Sequence, residues 1–190
     1  MKQIFSRLRD LKPEEIKRGL NKAVVGITQV FAYSHLFSSY IASSIVPVGR
    51  SMQPTIESEG DVLLVEHVSV NFNRLSIGDV VTSVSPDNPR DLVCKRIVAL
   101  EGEVVEIPPS WKYPFGASTL VPKGHVWLQG DNPSVSKDSR IYGSVPINMI
   151  EGRVFLRCWP LGRIQMIDSN PPPEAANASI VRPLKTPLAT

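Results

Sequence analysis

The chain has 190 residues, of which 21 are basic, 18 are acidic and 42% are hydrophobic. This length suits one domain with a short appendage, and the composition excludes a largely disordered chain. The net charge of +3 without a basic stripe predicts no nucleic-acid partner, and two cysteines without a Cys/His cluster predict no structural metal.

The first 22 residues form a charged segment, in which Pro13 followed by two glutamates predicts a helix start. Residues 23–48 contain no Asp, Glu, Lys or Arg. That run is long enough to cross a bilayer, which takes about 20 mainly apolar residues, and we predict one transmembrane helix there. Because basic residues precede the run, the large carboxyl-terminal part is expected across the membrane. The alternative is a buried or interfacial helix of a soluble protein, since several polar residues dilute the run.

Residues 49–165 consist of short β-branched runs separated by Gly, Pro, Asn and Asp. This texture predicts a mainly antiparallel β domain with barrel or sandwich character. Its predicted strands are Asp61–Glu66, Asp79–Val84, Leu92–Ala99, Glu103–Ile107, His125–Leu128 and Arg153–Cys158.

Residues 166–190 are rich in proline, which predicts a flexible tail. The tail contains one formal glycosylation triplet, Asn177-Ala178-Ser179, a pattern that often arises by chance.

Three polar segments of the β domain stand out: Gly49–Thr55, Cys94–Ile97 and Gly130–Arg140. Taken singly, each could be an ordinary loop or a solvated charge pair. Lys95, however, lies inside an apolar run, where strand alternation places it on the face opposite Arg96. A lysine on a buried face is uncommon unless it has a role or a partner.

A serine hydroxyl becomes a good nucleophile only when a base accepts its proton. Lys95 can be that base if it is neutral, which requires its pKa to fall from ~10.4 to about 7, or roughly 4–5 kcal/mol. Burial among apolar neighbours can supply a shift of that size. A Ser-His-Asp arrangement using His67 or His125 is disfavoured but stays open at this point.

In order and spacing, the three segments resemble the motifs of the type I signal peptidase family, over about residues 25 to 160. The resemblance implies a signal-peptidase-like β fold, Ser51 as nucleophile and Lys95 as general base. Gly49 stands where many relatives have a second serine, which puts a side-chain contribution to the oxyanion hole in doubt. The supporting residues that the resemblance implies are Ser136, which would orient the lysine amine; Asp131, Asp138, Arg96 and Arg140, which would form an ionic frame; and Met52 and Pro54, which would shape the nucleophile turn.

Further details, such as Cys94 before the Lys-Arg pair and Leu100–Glu103 after it, resemble the mitochondrial inner membrane peptidases of this family. That resemblance implies an endopeptidase that removes sorting signals from proteins delivered to the intermembrane space. Its partners would be precursor proteins, inner membrane lipid and a second peptidase subunit, with no cofactor.

Three other functions remain as alternatives. A bacterial-type signal peptidase of secretory precursors would use the same chemistry in another compartment. A self-cleaving repressor is disfavoured because no DNA-binding segment precedes the motifs. An anchored β domain acting as a non-catalytic scaffold is disfavoured because both Ser51 and Lys95 are present.

Overall fold

The structure is a computed structural model that describes residues 13–110, 112–176 and 179–183. The chain divides into two units, Met1–Tyr40 and Ile41–Thr190. In the first unit, helix α1 (Pro13–Tyr40) carries two glutamates in its first turn, as the sequence predicted, and none of its residues is buried. Among the described residues, no helix combines the length and the apolar character that crossing a membrane requires.

The prediction of one helix over residues 23–48 is wrong at its carboxyl-terminal end. α1 ends at Tyr40, and strand β1 (Ala42–Ile45) follows almost at once. β1 pairs antiparallel with β2 (Val62–Glu66), so the backbone groups that face β2 are hydrogen-bonded between the strands. Because the uncharged run continues from α1 through β1, the sequence showed no sign of the boundary between the helix and the strand. Residues 1–12 of the predicted charged segment lie outside the described part of the chain.

The second unit contains two antiparallel sheets, which confirms the predicted mainly β fold. The large sheet has the order β1-β2-β9-β3-β4-β7-β8, with β10 paired to β9. Its remaining strands are β3 (Val80–Val84), β4 (Leu92–Ala99), β7 (His125–Gln129), β8 (Val145–Pro146), β9 (Ile150–Trp159) and β10 (Gln165–Met166). The small sheet has the order β11-β5-β6, formed by Ile180–Pro183, Glu103–Ile107 and Ala117–Leu120.

Short helices complete the connections. They are α2 (Val68–Asn71), α3 (Ser139–Tyr142), α4 (Pro173–Ala176) and the 3-10 turns Ile147–Met149 and Leu161–Arg163.

Both faces of the large sheet are covered by apolar side chains. Val80 and Val81 are neighbours on β3, and alternation points them to opposite faces. Val80 packs in a cluster with Met52 and Leu63, whereas Val81 packs in a second cluster with Ile97. The central strand β4 is therefore buried on both sides, which is the setting of the two adjacent basic residues it carries.

Every strand predicted from the sequence is present, and the bounds of β4 and β5 are as predicted. The prediction of a flexible tail over residues 166–190 is wrong for β10 and β11, which pair with β9 and β5. A proline-rich composition argues against strands in general. These two strands form nevertheless, because each lies at a sheet edge, where proline is tolerated. Most of the glycosylation triplet and residues 184–190 lie outside the described residues.

Candidate active site

Ser51 and Lys95 meet across the fold. Ser51 lies in a turn that follows β1, and Lys95 lies in the middle of β4 with 4% of its surface exposed. The Lys95 amine is 2.8 Å from the Ser51 hydroxyl oxygen, and it also donates to the Cys94 carbonyl oxygen at 3.1 Å. A nucleophile and a base at this distance can exchange a proton directly.

The surroundings of Lys95 favour its neutral form. Burial lowers the pKa of Lys95 below its ordinary value, against opposing influences from Cys94, Asp138 and Asp131. Among the described residues, no carboxylate forms an ion pair with the Lys95 amine, because Asp131 pairs with Arg96 and Asp138 pairs with Arg140. The Cys94 thiol is itself neutral at physiological pH, because burial raises its pKa to about 12.

A cleft of about 390 Å³ opens beside the Ser51–Lys95 pair. Most of its lining is apolar, and the lining includes Val48, Gly49, Met52, Leu92 and Cys94. An apolar group of a ligand fits such a surface.

Neither candidate histidine lines this cleft. His67 Nδ1 is 2.7 Å from the Glu151 carbonyl oxygen, and its Nε2 is 3.1 Å from the Ser43 hydroxyl. His125 Nδ1 is 3.1 Å from a neighbouring backbone carbonyl oxygen. The Ser-His-Asp arrangement that the sequence left open therefore has no geometric support.

The other face of β4 carries a buried ion pair. Arg96 donates from Nε and Nη2 to the two carboxylate oxygens of Asp131, at 2.8 Å and 2.7 Å. Its Nη1 donates to the carbonyl oxygens of Gly78 and Asp168, at 2.6 Å and 2.7 Å. Asp131 also accepts from the Thr55 hydroxyl at 2.5 Å, so the pair reaches the turn that carries Ser51.

The segment after β7 is tied to the same turn through main-chain atoms. The Asn132 amide donates to the Ser51 carbonyl oxygen at 3.0 Å. Asp138 is fully buried and accepts from Arg140 Nε at 2.9 Å and from the Gly130 amide at 3.0 Å. The predicted ionic frame of Arg96, Asp131, Asp138 and Arg140 thus comprises two separate pairs.

Gly130 allows the segment after β7 to lie close to the turn that carries Ser51. A Cβ atom at residue 130 would overlap the Ser136 hydroxyl and the Ser51 carbonyl oxygen. Ser136 is 7% exposed, and its hydroxyl has no hydrogen-bond partner among the described residues. The structure therefore buries Ser136 beside the nucleophile turn without showing the bond to the lysine amine that the resemblance implied.

Met52 and Pro54 flank the nucleophile in different ways. Met52 is 3% exposed and packs in a core cluster with Ile56 and Leu63, which fixes the turn to the sheet. Pro54 is exposed.

A second buried ionic group supports the turn, and sequence analysis missed it. Asp61 is fully buried and accepts from the Glu57 amide at 3.0 Å and from Arg157 Nη1 at 3.2 Å. Arg157 also donates to the Thr55 carbonyl oxygen at 3.3 Å. No local sequence pattern predicts these contacts, because Asp61 directly precedes β2 whereas Arg157 lies in β9, far along the sequence.

Comparison with known proteins decides the family. A family model described as signal peptidase, peptidase S26, matches residues 20–113 and 109–159 of this chain. The chain belongs to this family. The match confirms the resemblance that the three motifs carried, and it makes the chain a member of a family of peptidases.

Several relatives of this chain are named as mitochondrial proteases. Mitochondrial ATP-independent inner membrane protease subunit 1a of Arabidopsis thaliana is 45% identical over 130 residues, which cover 66% of this chain and 76% of the relative. Mitochondrial inner membrane protease subunit 1 of Homo sapiens is 37% identical over 149 residues, which cover 78% of this chain and 89% of the relative. Subunit 2 of Danio rerio is 34% identical over 130 residues, which cover 66% of this chain and 69% of the relative.

Proposed function

We propose that this signal peptidase family member is a serine endopeptidase in which Ser51 attacks the peptide bond and Lys95 is the general base. The observation that carries the proposal is the 2.8 Å contact between the Lys95 amine and the Ser51 hydroxyl. It is supported by the burial of Lys95, which lowers the pKa of the amine, and by the lack of an ion-pair partner for that amine among the described residues.

The proposed reaction begins with proton transfer from the Ser51 hydroxyl to the neutral Lys95 amine. The Ser51 oxygen then attacks the scissile carbonyl carbon, and the Ser51 backbone N–H stabilises the developing oxyanion. The Lys95 ammonium returns the proton to the leaving amine, which leaves an acyl-enzyme. A water molecule then gives a proton to Lys95 and attacks the acyl carbon, the bond to the Ser51 oxygen breaks, and the Lys95 ammonium returns the proton to that oxygen. Ser136 is proposed to orient the amine during these transfers.

The proposed substrates are precursor proteins with a cleavable sorting signal, delivered to the mitochondrial intermembrane space. The substrate would lie as an extended strand along the sheet edge beside β1, with small side chains in the apolar cleft. The names of the relatives support the mitochondrial inner membrane as the location. The two subunits among these relatives support a heterodimer with a second peptidase subunit.

The catalytic proposal is tested with Ser51→Ala, because this change removes one hydroxyl and no buried ion pair. Purified chain in detergent should cleave a peptide spanning a sorting-signal cleavage site, and Ser51→Ala should reduce the rate to background. Ser118→Ala, which alters an exposed serine on β6, is the matched control and should retain the rate. Activity of Ser51→Ala near that of the control would contradict the proposal and favour a different nucleophile.

We also propose that the uncharged part of α1 attaches the chain to the inner membrane, with the β domain facing the intermembrane space. Large apolar side chains such as Ile27 and Phe31 are exposed on this helix. After rupture of the outer membrane, added protease should degrade the β domain. After sonication at physiological salt, the chain should sediment with the inner membrane, and complete recovery in the supernatant would contradict the attachment.

A further inference from the structure

The segment after β10 contacts Arg96, whose side chain leaves β4 on the face opposite that of Lys95. We call Asp168–Ala176 and Ser179–Pro183 the clasp. One end is fixed where β10 pairs with β9, and the other where β11 pairs with β5. Between them, Ala175 and Ser179 are buried, and the Ala175 carbonyl oxygen accepts from Gln129 on β7 at 3.4 Å. The clasp is thus attached to both sheets.

The clasp contacts the catalytic strand through Arg96. The Asp168 carbonyl oxygen and the Gly78 carbonyl oxygen share the Nη1 group of Arg96, whose remaining described bonds go to Asp131. Arg96 is 1% exposed, so an N–H group that lost its acceptor here would remain unpaired away from water. The clasp therefore supplies one of the bonds that fix the guanidinium in place.

Gly78 makes this contact possible. Its φ is +93°, and a Cβ atom at this residue would overlap the carbonyl group of Ser169 in the clasp. The Gly78 amide donates to the Ile97 carbonyl oxygen at 2.8 Å, and the Ile97 amide donates to the Asp79 carbonyl oxygen at 2.9 Å. Clasp, Gly78 and β4 are thus in direct backbone contact within two residues of Lys95.

We infer that the clasp is a positioning element for catalysis, which holds β4 from behind through Arg96 and so sets the Lys95 amine against Ser51. The inference rests on the proposed function for the role of Lys95. The clasp residues do not line the cleft beside Ser51, so the clasp acts on the position of the base and leaves substrate contacts unchanged.

The test compares Gly78→Ala with Gly102→Ala in the full-length chain. Both glycines have positive φ, +93° and +83°, so both substitutions strain the backbone. Gly102 faces open space, whereas a side chain at Gly78 must push the Ser169 carbonyl away by about 1 Å. A displacement of that size near a catalytic group costs roughly 10²-fold in rate. We expect Gly78→Ala to lose about that much kcat with KM changed less than about twofold, and Gly102→Ala to retain kcat.

The pH profile separates positioning from loss of folded protein. Cys94, Asp131 and Asp138 are the ionisable groups that act on Lys95, and burial is the main influence that keeps its pKa low. A displaced clasp admits water toward β4, so the rising limb of kcat against pH should move to higher pH in Gly78→Ala. Rates are expressed per active serine, titrated with a covalent serine reagent. Unchanged kcat per active serine, or equal effects of both substitutions, would overturn the inference.

A second pair of variants covers the case in which Gly78→Ala fails to fold. Val181 in β11 packs against the cluster around Trp127, whereas Ile180 beside it is 55% exposed. Val181→Ser should loosen the clasp and lower kcat, and Ile180→Ser should not. Hydrogen exchange at the Ile97 amide is followed in parallel and should accelerate only in Val181→Ser. This exchange measurement requires no activity, so it tests the clasp even if Ser51→Ala disproves the proposed function.

Discussion

Lys95 and Arg96 are neighbours on one strand, both buried, and their surroundings differ in one respect. Arg96 meets a carboxylate and two carbonyl oxygens, so its charge is compensated and the residue holds structure together. Lys95 meets a serine hydroxyl and one carbonyl oxygen, with no carboxylate in contact among the described residues. Burial of a cation thus has opposite outcomes on the two faces of β4: with a counter-charge it yields a rigid frame, and without one it favours a neutral amine.

The largest expected effect is the loss of cleavage rate when Lys95 is replaced by a cation that cannot lose its proton. Lys95→Arg keeps the charge and the donors, but a guanidinium stays protonated at every relevant pH. Loss of a general base costs roughly 10²–10⁴-fold in rate, so the variant should be nearly inactive. In the unaltered chain, the rate should rise with pH as the amine deprotonates, with a midpoint below the ordinary lysine pKa, since burial lowers it.

Initial cleavage rates measured against pH, at equal folded concentration, check this prediction. Lys123→Arg is the control, because Lys123 is exposed and the same exchange there should leave the profile unchanged. Substantial activity of Lys95→Arg would show that the residue holds a charge contact instead of accepting a proton.

A smaller effect is expected when the compensating charge is removed from the Arg96 face. Asp131→Asn leaves a buried guanidinium without its counter-ion, which costs about 3–5 kcal/mol of unfolding free energy. The matched control is Asp87→Asn, which breaks an exposed pair with Lys137 at 3.0 Å and should cost about 0–1 kcal/mol.

Urea unfolding monitored by tryptophan fluorescence gives both values. Equal losses in the two variants would mean that burial adds nothing to the Arg96–Asp131 pair. A loss for Asp131→Asn of the expected size would establish that the two faces of β4 differ in electrostatic role.

The sequence predicted the position of Lys95, because that position follows from the alternation of side chains along a strand. Strand periodicity identified Lys95 as a lysine on an apolar face, and the resemblance to the signal peptidase motifs implied Ser51 as its nucleophile. It could not show that Arg96 is buried too, because β4 is central only once β3 and β7 pair with it, and the clasp then packs against Arg96.

The contacts and strands that the sequence did not predict share a physical cause. The contact of Arg157 with Asp61 joins residues that only the pairing of distant strands brings together, and no local pattern encodes it. β1 was hidden because the uncharged run continues through it, and β11 because it lies in a proline-rich stretch of the chain. Local sequence signals predict where strands form, whereas long-range pairing decides which polar groups meet.

The bond between the Asn132 amide and the Ser51 carbonyl oxygen joins the two halves of the site with main-chain atoms alone. A contact of this kind survives nearly every substitution at either residue, since only proline at residue 132 would remove the donor. Substitutions can therefore change the side chains around the cleft, and with them the peptides that fit, while this bond keeps the spacing between the two segments. The same property makes the cleft a suitable starting point for engineering new cleavage preferences.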